Sequence, residues 1–209
     1  KHVTVQDYSG NTVSQNWFYY DGSTDNDATP TKGQLTKKVD WLGVAGKPDP
    51  ATRYSYDVYG NLLKTTDPMG NVTSITYDND VHMFPVTTTN ALGQQSQTVY
   101  YGVAGVAQDN GLWGQTKTVT DANNQTALSM YDSFGRPIKA VSPLDSVNFP
   151  TSEKSYFIAS NYSRVISKAR VEHGQGATID TVEFYDGLGR LIETKTVGPN
   201  PGQWVVGGF

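Results

Sequence analysis

Asp-x-x-Gly-Asn occupies residues 57–61 and returns at 67–71, ten residues later. Asp is favoured at the first position of a type I turn, where its carboxylate accepts hydrogen bonds from backbone N–H groups further along. Gly is favoured at the fourth, where a left-handed backbone costs it nothing. A type I turn followed by a left-handed Gly is a common hairpin connection. Each pentapeptide therefore predicts a hairpin tip, marked by Asp57 and Gly60 and by Asp67 and Gly70. The segment between them predicts a strand of about 20 Å at 3.3 Å per residue. Repeated, this pattern is an antiparallel β-meander.

The same signal recurs as Asp7-Tyr-Ser-Gly10-Asn11, Asp132-Ser-Phe-Gly135-Arg136 and Asp186-Gly-Leu-Gly189-Arg190. Asn90-Ala-Leu-Gly93-Gln94 and Asp121-Ala-Asn-Asn124-Gln125 are variants. In both, Asn stands where it can cap the turn or adopt the left-handed state. Tyr precedes Asp at 20–21, 56–57, 77–78, 131–132 and 185–186. At the last strand position before a tip it can pack across to a neighbouring strand. Tyr19-Tyr20-Asp21-Gly22 with Gly33-Gln34-Leu35-Thr36-Lys37 is echoed by Tyr100-Tyr101-Gly102 with Gly114-Gln115-Thr116-Lys117. The common offset of 81 residues suggests an internal duplication.

Composition agrees with an all-β chain. Charged residues make up 17% of the 209 residues and hydrophobic residues 36%, while Gly and Tyr number 21 and 13. An aromatic share of 11% argues against disorder. With no cysteine, disulfide frameworks, zinc–thiolate sites and thiol nucleophiles are excluded. A net charge of -4 with scattered Lys and Arg argues against nucleic acid, and no apolar run is long enough to predict membrane insertion. The opening KHVTVQDY and the closing WVVGGF are expected to be the ends of a piece cut from a longer polypeptide.

YDVYGNLLKTTDPMGN, YDSFGRPIKAVSP and FYDGLGRLIETKT resemble YD repeats, also called Rhs repeats. That family includes bacterial Rhs polymorphic toxins, the B and C components of insecticidal toxin complexes, and teneurins. FYYDG at 18–22, TNALGQ at 89–94 and GLWGQTKTVTDANNQ at 111–125 look most like the middle of a toxin-complex B component or a bacterial Rhs relative. The resemblance is clearest over 17–143 and 180–197 within one repeat segment spanning 1–209. It implies an all-β, antiparallel meander of YD-repeat hairpins, a segment of a spiralling Rhs-type shell. It also implies a secreted or surface location in bacteria and a non-enzymatic role in encapsulating a toxic C-terminal cargo. The implied partners are that enclosed toxin polypeptide or other shell subunits, and no cofactor is expected. Two departures stand out. Asp67-Pro-Met-Gly-Asn matches only the first part of the DPxGL-type motif that closes such shells, so the self-cleaving end is absent. Residues 144–180 lack repeat signals and are expected to hold an insertion or irregular strands.

The strands suit a single sheet. Val72, Ser74 and Thr76 share one face of 71–77, and Thr116, Thr118 and Thr120 make a nearly polar face of 115–120. A sandwich interior needs a steadier apolar face.

Other candidate sites compete with plainer readings. Asp21, Ser23, Asp25 and Asp27 alternate as calcium ligands do, but an EF-hand wants Gly and Glu where Asn26 and Lys32 stand. A solvated polar loop is the favoured reading. Gly43-Val-Ala-Gly46-Lys47 has Trp41 and Pro48 where a phosphate-binding loop needs Gly and Ser or Thr. His2, His82 and His173 show no metal-ligand spacing, and no G-x-S-x-G elbow is present. Abundant Asp leaves paired carboxylates for glycoside hydrolysis open, although turns account for most of them. Trp17, Trp41, Trp113 and Trp204 are candidates for a glycan platform, which makes a carbohydrate-binding or adhesive surface module the alternative function.

Overall fold

The computed structural model describes residues 1–198, 200 and 202–208. All of its regular elements are strands, and hydrogen-bonded neighbours follow chain order. The chain divides into two compact units, Lys1–Ser96 and Gln97–Phe209. Unit one holds β1 (His2–Gln6), β2 (Thr12–Tyr20), β3 (Leu35–Asp40), β4 (Ala51–Tyr56), β5 (Leu62–Thr66), β6 (Val72–Tyr77) and β7 (Pro85–Thr89). β8 (Gln95–Tyr100) begins at the end of unit one. Unit two continues with β9 (Thr116–Thr120), β10 (Thr126–Tyr131), β11 (Pro137–Val141), β12 (Ser152–Ile158), β13 (Tyr162–Arg170), β14 (Thr178–Asp186), β15 (Leu191–Val197) and β16 (Trp204–Gly208). The all-β meander read from the pentapeptides is the observed fold.

Sheet margins within each unit differ in register. After β4, Tyr56 pairs with Leu62 but Ser55 pairs with Lys64, so Leu63 is an extra residue in a bulge. The same two-against-one shift follows Tyr20, Tyr77, Tyr100, Tyr131 and Tyr185. Each of those tyrosines ends or nearly ends an even-numbered strand. At the opposite margin Thr66 and Thr120 precede the tips, and their pairs with Val72 and Thr126 carry no shift. Tyr thus precedes these bulged reversals and Thr precedes two in-register tips, while β12 ends on Ile158 and reverses with no shift. Gln6 before the first tip is bulged and lacks the Tyr.

Tyrosine has a second task at the bulges. The Tyr56 hydroxyl donates to the Leu35 carbonyl at 2.9 Å, and Leu35 is the residue paired with Tyr20. The Tyr77 hydroxyl donates to Leu62, the partner of Tyr56, at 3.2 Å. Tyr156 does the same to Pro137, the partner of Tyr131, at 3.0 Å. A bulge leaves ladder groups unpaired, and the phenol of the next hairpin supplies a donor to the carbonyl beside it.

Little of the chain is buried. Among the described residues the buried hydrophobic side chains are Tyr101, Val103 and Val141. Most strand residues are half-buried, as in β2, β3 and β9. Both faces are therefore partly wet, as the mixed strand sequences predict.

The expectation of an insertion or irregular strands in 144–180 does not hold. β12 and β13 pair over seven positions and β13 and β14 over nine, with no register shift. Alternating aromatic and β-branched residues (Tyr156, Val165, Ile166, Val182) carry these strands without the turn pentapeptide. Long unbroken ladders need no repeat signal, because cross-strand pairs set their register.

Gly70 has φ of +89° with open space around its Cα, so Gly70→Ala tests the left-handed backbone alone. It is expected to cost about 1–2 kcal/mol, read as a lower urea midpoint with an unchanged slope.

Candidate functional site

The turn pentapeptide is an organised site in its own right. In tip 57–61 the Asp57 N–H donates to the Asn61 carbonyl at 3.0 Å, and Gly60 N–H donates to the Asp57 carbonyl at 3.3 Å. Asp57 Oδ1 accepts from the backbone N–H of Tyr59 and of Asn61 at 2.9 and 2.8 Å. Oδ2 accepts from the Asn61 side-chain amide at 2.9 Å. Asp67 with Asn71 and Asp7 with Asn11 repeat the pattern. Asp132 and Asp186 use Arg136 and Arg190 instead, with Nε donating to Oδ2 at 2.7 Å in both. Gly135 and Gly189 take φ of +76° and +77°, and Asn124 takes +59° in the variant tip. Asn90 caps its tip through Oδ1 while its amide donates to Gln94. The fifth residue thus serves as the second ligand of the carboxylate. That role escaped the sequence reading, although the recurrent Asn or Arg was its signal.

These hydrogen bonds favour the charged carboxylate. The Asn71 amide, then the Asn71 N–H, hold Asp67 below the usual carboxylate range, and Asn11 does the same for Asp7. The Arg190 N–H and guanidinium lower Asp186. For Asp57 and Asp132, desolvation opposes the charge and the bonds from Asn61 and Arg136 outweigh it.

Three longer tips elaborate the device. Asp78 is 3% exposed, and its carboxylate accepts five backbone N–H groups, from Asp80, Val81, His82, Met83 and Phe84. Desolvation opposes the charge, yet the N–H groups of Phe84, Val81, Met83 and His82 lower it to about 2. The His82 ring stacks on Tyr59 at 4.3 Å, and the Asn61 amide donates to the His82 carbonyl. Adjacent tips 57–61 and 78–84 are clasped in this way.

Asp21, itself at φ of +55°, accepts from the N–H of Thr31, Lys32, Gly33 and Gln34. Its carboxylate therefore closes the loop that carries the calcium candidates. Asp25 Oδ1 accepts from Asp27 N–H, and the Ser23 hydroxyl donates to the Asp25 carbonyl. Among the described residues no group of three or more His, Cys, Asp or Glu is placed to hold a metal ion.

In the duplicated segment Tyr101, one residue out of step with the sequence offset of 81, takes the place of Asp21: each N–H donates to the Gln that ends its loop, Gln115 or Gln34. Its ring is buried against Gly111, where a Cβ would lie 2.3 Å from it, and its hydroxyl donates to the Ser129 carbonyl. An aromatic plug replaces the carboxylate as the organiser of the longer loop. Lys117 lies 5.0 Å from the ring centroid and Tyr131 meets it edge-on.

In unit two Asp145 joins two tips. Its fully buried carboxylate accepts from Ser142, Thr151 and Gly174 and lies 3.0 Å from His173 Nδ1. The Thr151 hydroxyl is the main cause holding Asp145 well below the usual range. The Ser142 hydroxyl donates to Asp145 and accepts from the Thr151 hydroxyl, and His173 meets Asp145 from the other loop.

Each tryptophan has its own local setting. In unit one, Trp17 lies mid-strand opposite Val39, and Trp41 folds over Gly43 in the β3–β4 tip. In unit two, Trp113 packs on Gly102 in the loop after β8, whereas Trp204 begins β16 opposite Val197.

No family model matches the chain, and no curated protein matches it. Solved structures with partial likeness are the TcdB2-TccC3-Cdc42 protein (12% identity, TM-score 0.42) and the TcdB2-TccC3-TEV protein (12% identity, TM-score 0.40). TcdB2-TccC3 without its hypervariable C-terminal region has a TM-score of 0.37 at 12% identity. Each covers 98% of this chain, which spans only 13–15% of theirs.

Stability is expected to depend on acid through the tips. The carboxylates contribute fully above their ordinary 3.8 and lose the contribution as pH falls through their lowered folded values, about 2 for Asp78. An acid titration followed by circular dichroism should show stability falling from about pH 4 downward. Asp78→Asn should flatten that fall. In the longer loop, Tyr101→Ala should cost about 3–5 kcal/mol by emptying a buried site.

Proposed function

We propose that the chain is a non-enzymatic wall segment of a secreted or surface toxin-like protein, helping to enclose a polypeptide cargo. One observation carries this reading. Capped tips and Tyr stitches make a meander that extends strand by strand without a conventional core, as a wall must. The YD pentapeptides that resemble Rhs repeats are the residues that build the tips. The carboxylates of Asp57, Asp67, Asp132 and Asp186 accept turn hydrogen bonds, which supports a structural use for the repeated Asp. Among the described residues no helix is long and apolar enough to cross a membrane. The partners on this reading are the enclosed polypeptide and other parts of the shell.

The test is protection. In the native full-length polypeptide, limited proteolysis is expected to spare the enclosed region. Asp57→Ala combined with Gly60→Val should open the wall and speed cleavage there. Equal cleavage in both proteins overturns the reading. Saturable glycan binding lost on a single Trp→Ala change would favour the carbohydrate-binding module instead.

A further inference from the structure

The lysines, arginine and carboxylate of β1–β7 are Lys37, Lys38, Asp40, Arg53 and Lys64. Lys38 and Asp40 share one face of β3 and pair with each other at 2.7 Å. Lys37, Arg53 and Lys64 share the other face. Lys37 is directly opposite Arg53, and Arg53 is opposite Thr66, which lies two residues beyond Lys64. Ladder partners and alternate residues of a strand point to the same side. This face of unit one therefore carries three cations and no strand carboxylate. Scattered at 37, 53 and 64 in the sequence, they become neighbours only when β3, β4 and β5 pair.

None of the three is neutralised. Arg53 and Lys64 are exposed. Among the described residues neither makes an ion pair or a hydrogen bond. Lys37 lies over the Tyr19 ring at 4.5 Å and has no acidic partner. Asp49 shares a shallow hollow with Arg53, but its Oδ1 accepts from the Leu42 N–H at 2.8 Å. Like charges directly opposite each other weaken a strand pair. The Lys37–Arg53 pair bears that repulsion unrelieved, and an anion placed over it would remove it.

We propose that this face of unit one binds a short acidic polypeptide segment centred on Arg53. The guanidinium fork takes a carboxylate through two parallel bonds, and the flanking lysines add point charges. In an extended segment three carboxylates at alternate positions span about 13 Å. Lys37 and Lys64 are about 12 Å apart along the sheet, two interstrand spacings and an offset of two residues. A long polyanion fits less well, because the cations end within three strands. A nucleic acid or a sulfated glycan would run on over uncharged strands or past the tip carboxylates of Asp7, Asp57, Asp67 and Asp78. The Tyr19 ring, covered by Lys37, offers no free platform to a sugar. The binding goes beyond the wall reading and does not rest on it.

The experiment is titration of the 209-residue chain into a fluorescein-labelled hexaglutamate peptide, read by anisotropy at about 50 mM salt. A Kd on the order of 100 µM is expected, weakening as salt rises. Arg53→Gln with Lys64→Gln should weaken it about tenfold or more. Lys38→Gln, on the opposite face, should leave it within about twofold. Both cation positions in the double variant are exposed, and circular dichroism checks that the fold survives. No binding up to about 1 mM overturns the inference. So does binding that survives the double change, or that falls equally with Lys38→Gln, which would signal attraction without a site. Tighter binding of a single-stranded oligonucleotide or a heparin fragment of matched charge through the same residues also overturns it, since the face would then suit a long polyanion. Each of these outcomes leaves the wall reading to the proteolysis experiment.

Discussion

A carboxylate that accepts the N–H groups of its own turn is the interaction on which the rest of this structure depends. A meander of five- and six-residue strands has a reversal for nearly every strand. Each reversal leaves backbone donors that no ladder satisfies. At 57–61 and 67–71 one Asp takes two of them through Oδ1 and ties Oδ2 to the fifth residue. Replacing Asn with Arg at 136 and 190 preserves the link and adds charge. Arg136 then reaches further, lying 4.3 Å from the Tyr156 ring centroid on β12 and 5.1 Å from Phe134 in its own tip. The turn is thereby coupled to the strand beyond it.

Tip chemistry alone would give hairpins, not a sheet. Neighbouring hairpins are joined by ladders and, on the bulged margin, by phenols. The Tyr56 and Tyr77 hydroxyls each reach the carbonyl beside the preceding bulge. This arrangement couples two features that seem independent in sequence, the Tyr before Asp and the extra residue in the following strand. It also explains how the sheet holds with three buried hydrophobic side chains among the described residues. Cohesion comes from half-buried cross-strand contacts and from polar groups satisfied at the margins.

The loop after β8 shows how the same position can be organised by opposite means. Asp21 gathers donors from a polar loop, whereas Tyr101 fills a space lined by Gly111 and Tyr131. A carboxylate needs N–H groups converging on it; a ring needs an enclosing wall. Each loop has the composition its organiser requires, oxygen-rich around Asp21 and Gly- and aromatic-rich around Tyr101. Both end on Gln whose carbonyl accepts from the residue that opens the loop.

Much of the fold was written in local chemistry. Asp, Gly and Asn at fixed spacing dictate a left-handed fourth residue and a reversal, since no other residues satisfy that backbone so cheaply. Strand class and antiparallel order follow from short strands between such turns. The same signals failed over 144–180, where β12 to β14 reverse without the pentapeptide and are held by long ladders in unbroken register. Nor could spacing show that Asp78 takes five backbone donors or that Asp145 ties two tips. Those depend on which strands become neighbours and on which residues reach a common margin. The sequence by itself determined the turns, because a turn is a contact among five consecutive residues. Only the tertiary structure decided the clasped and bulged margins, because a margin is assembled from tips that meet only after every intervening strand has paired.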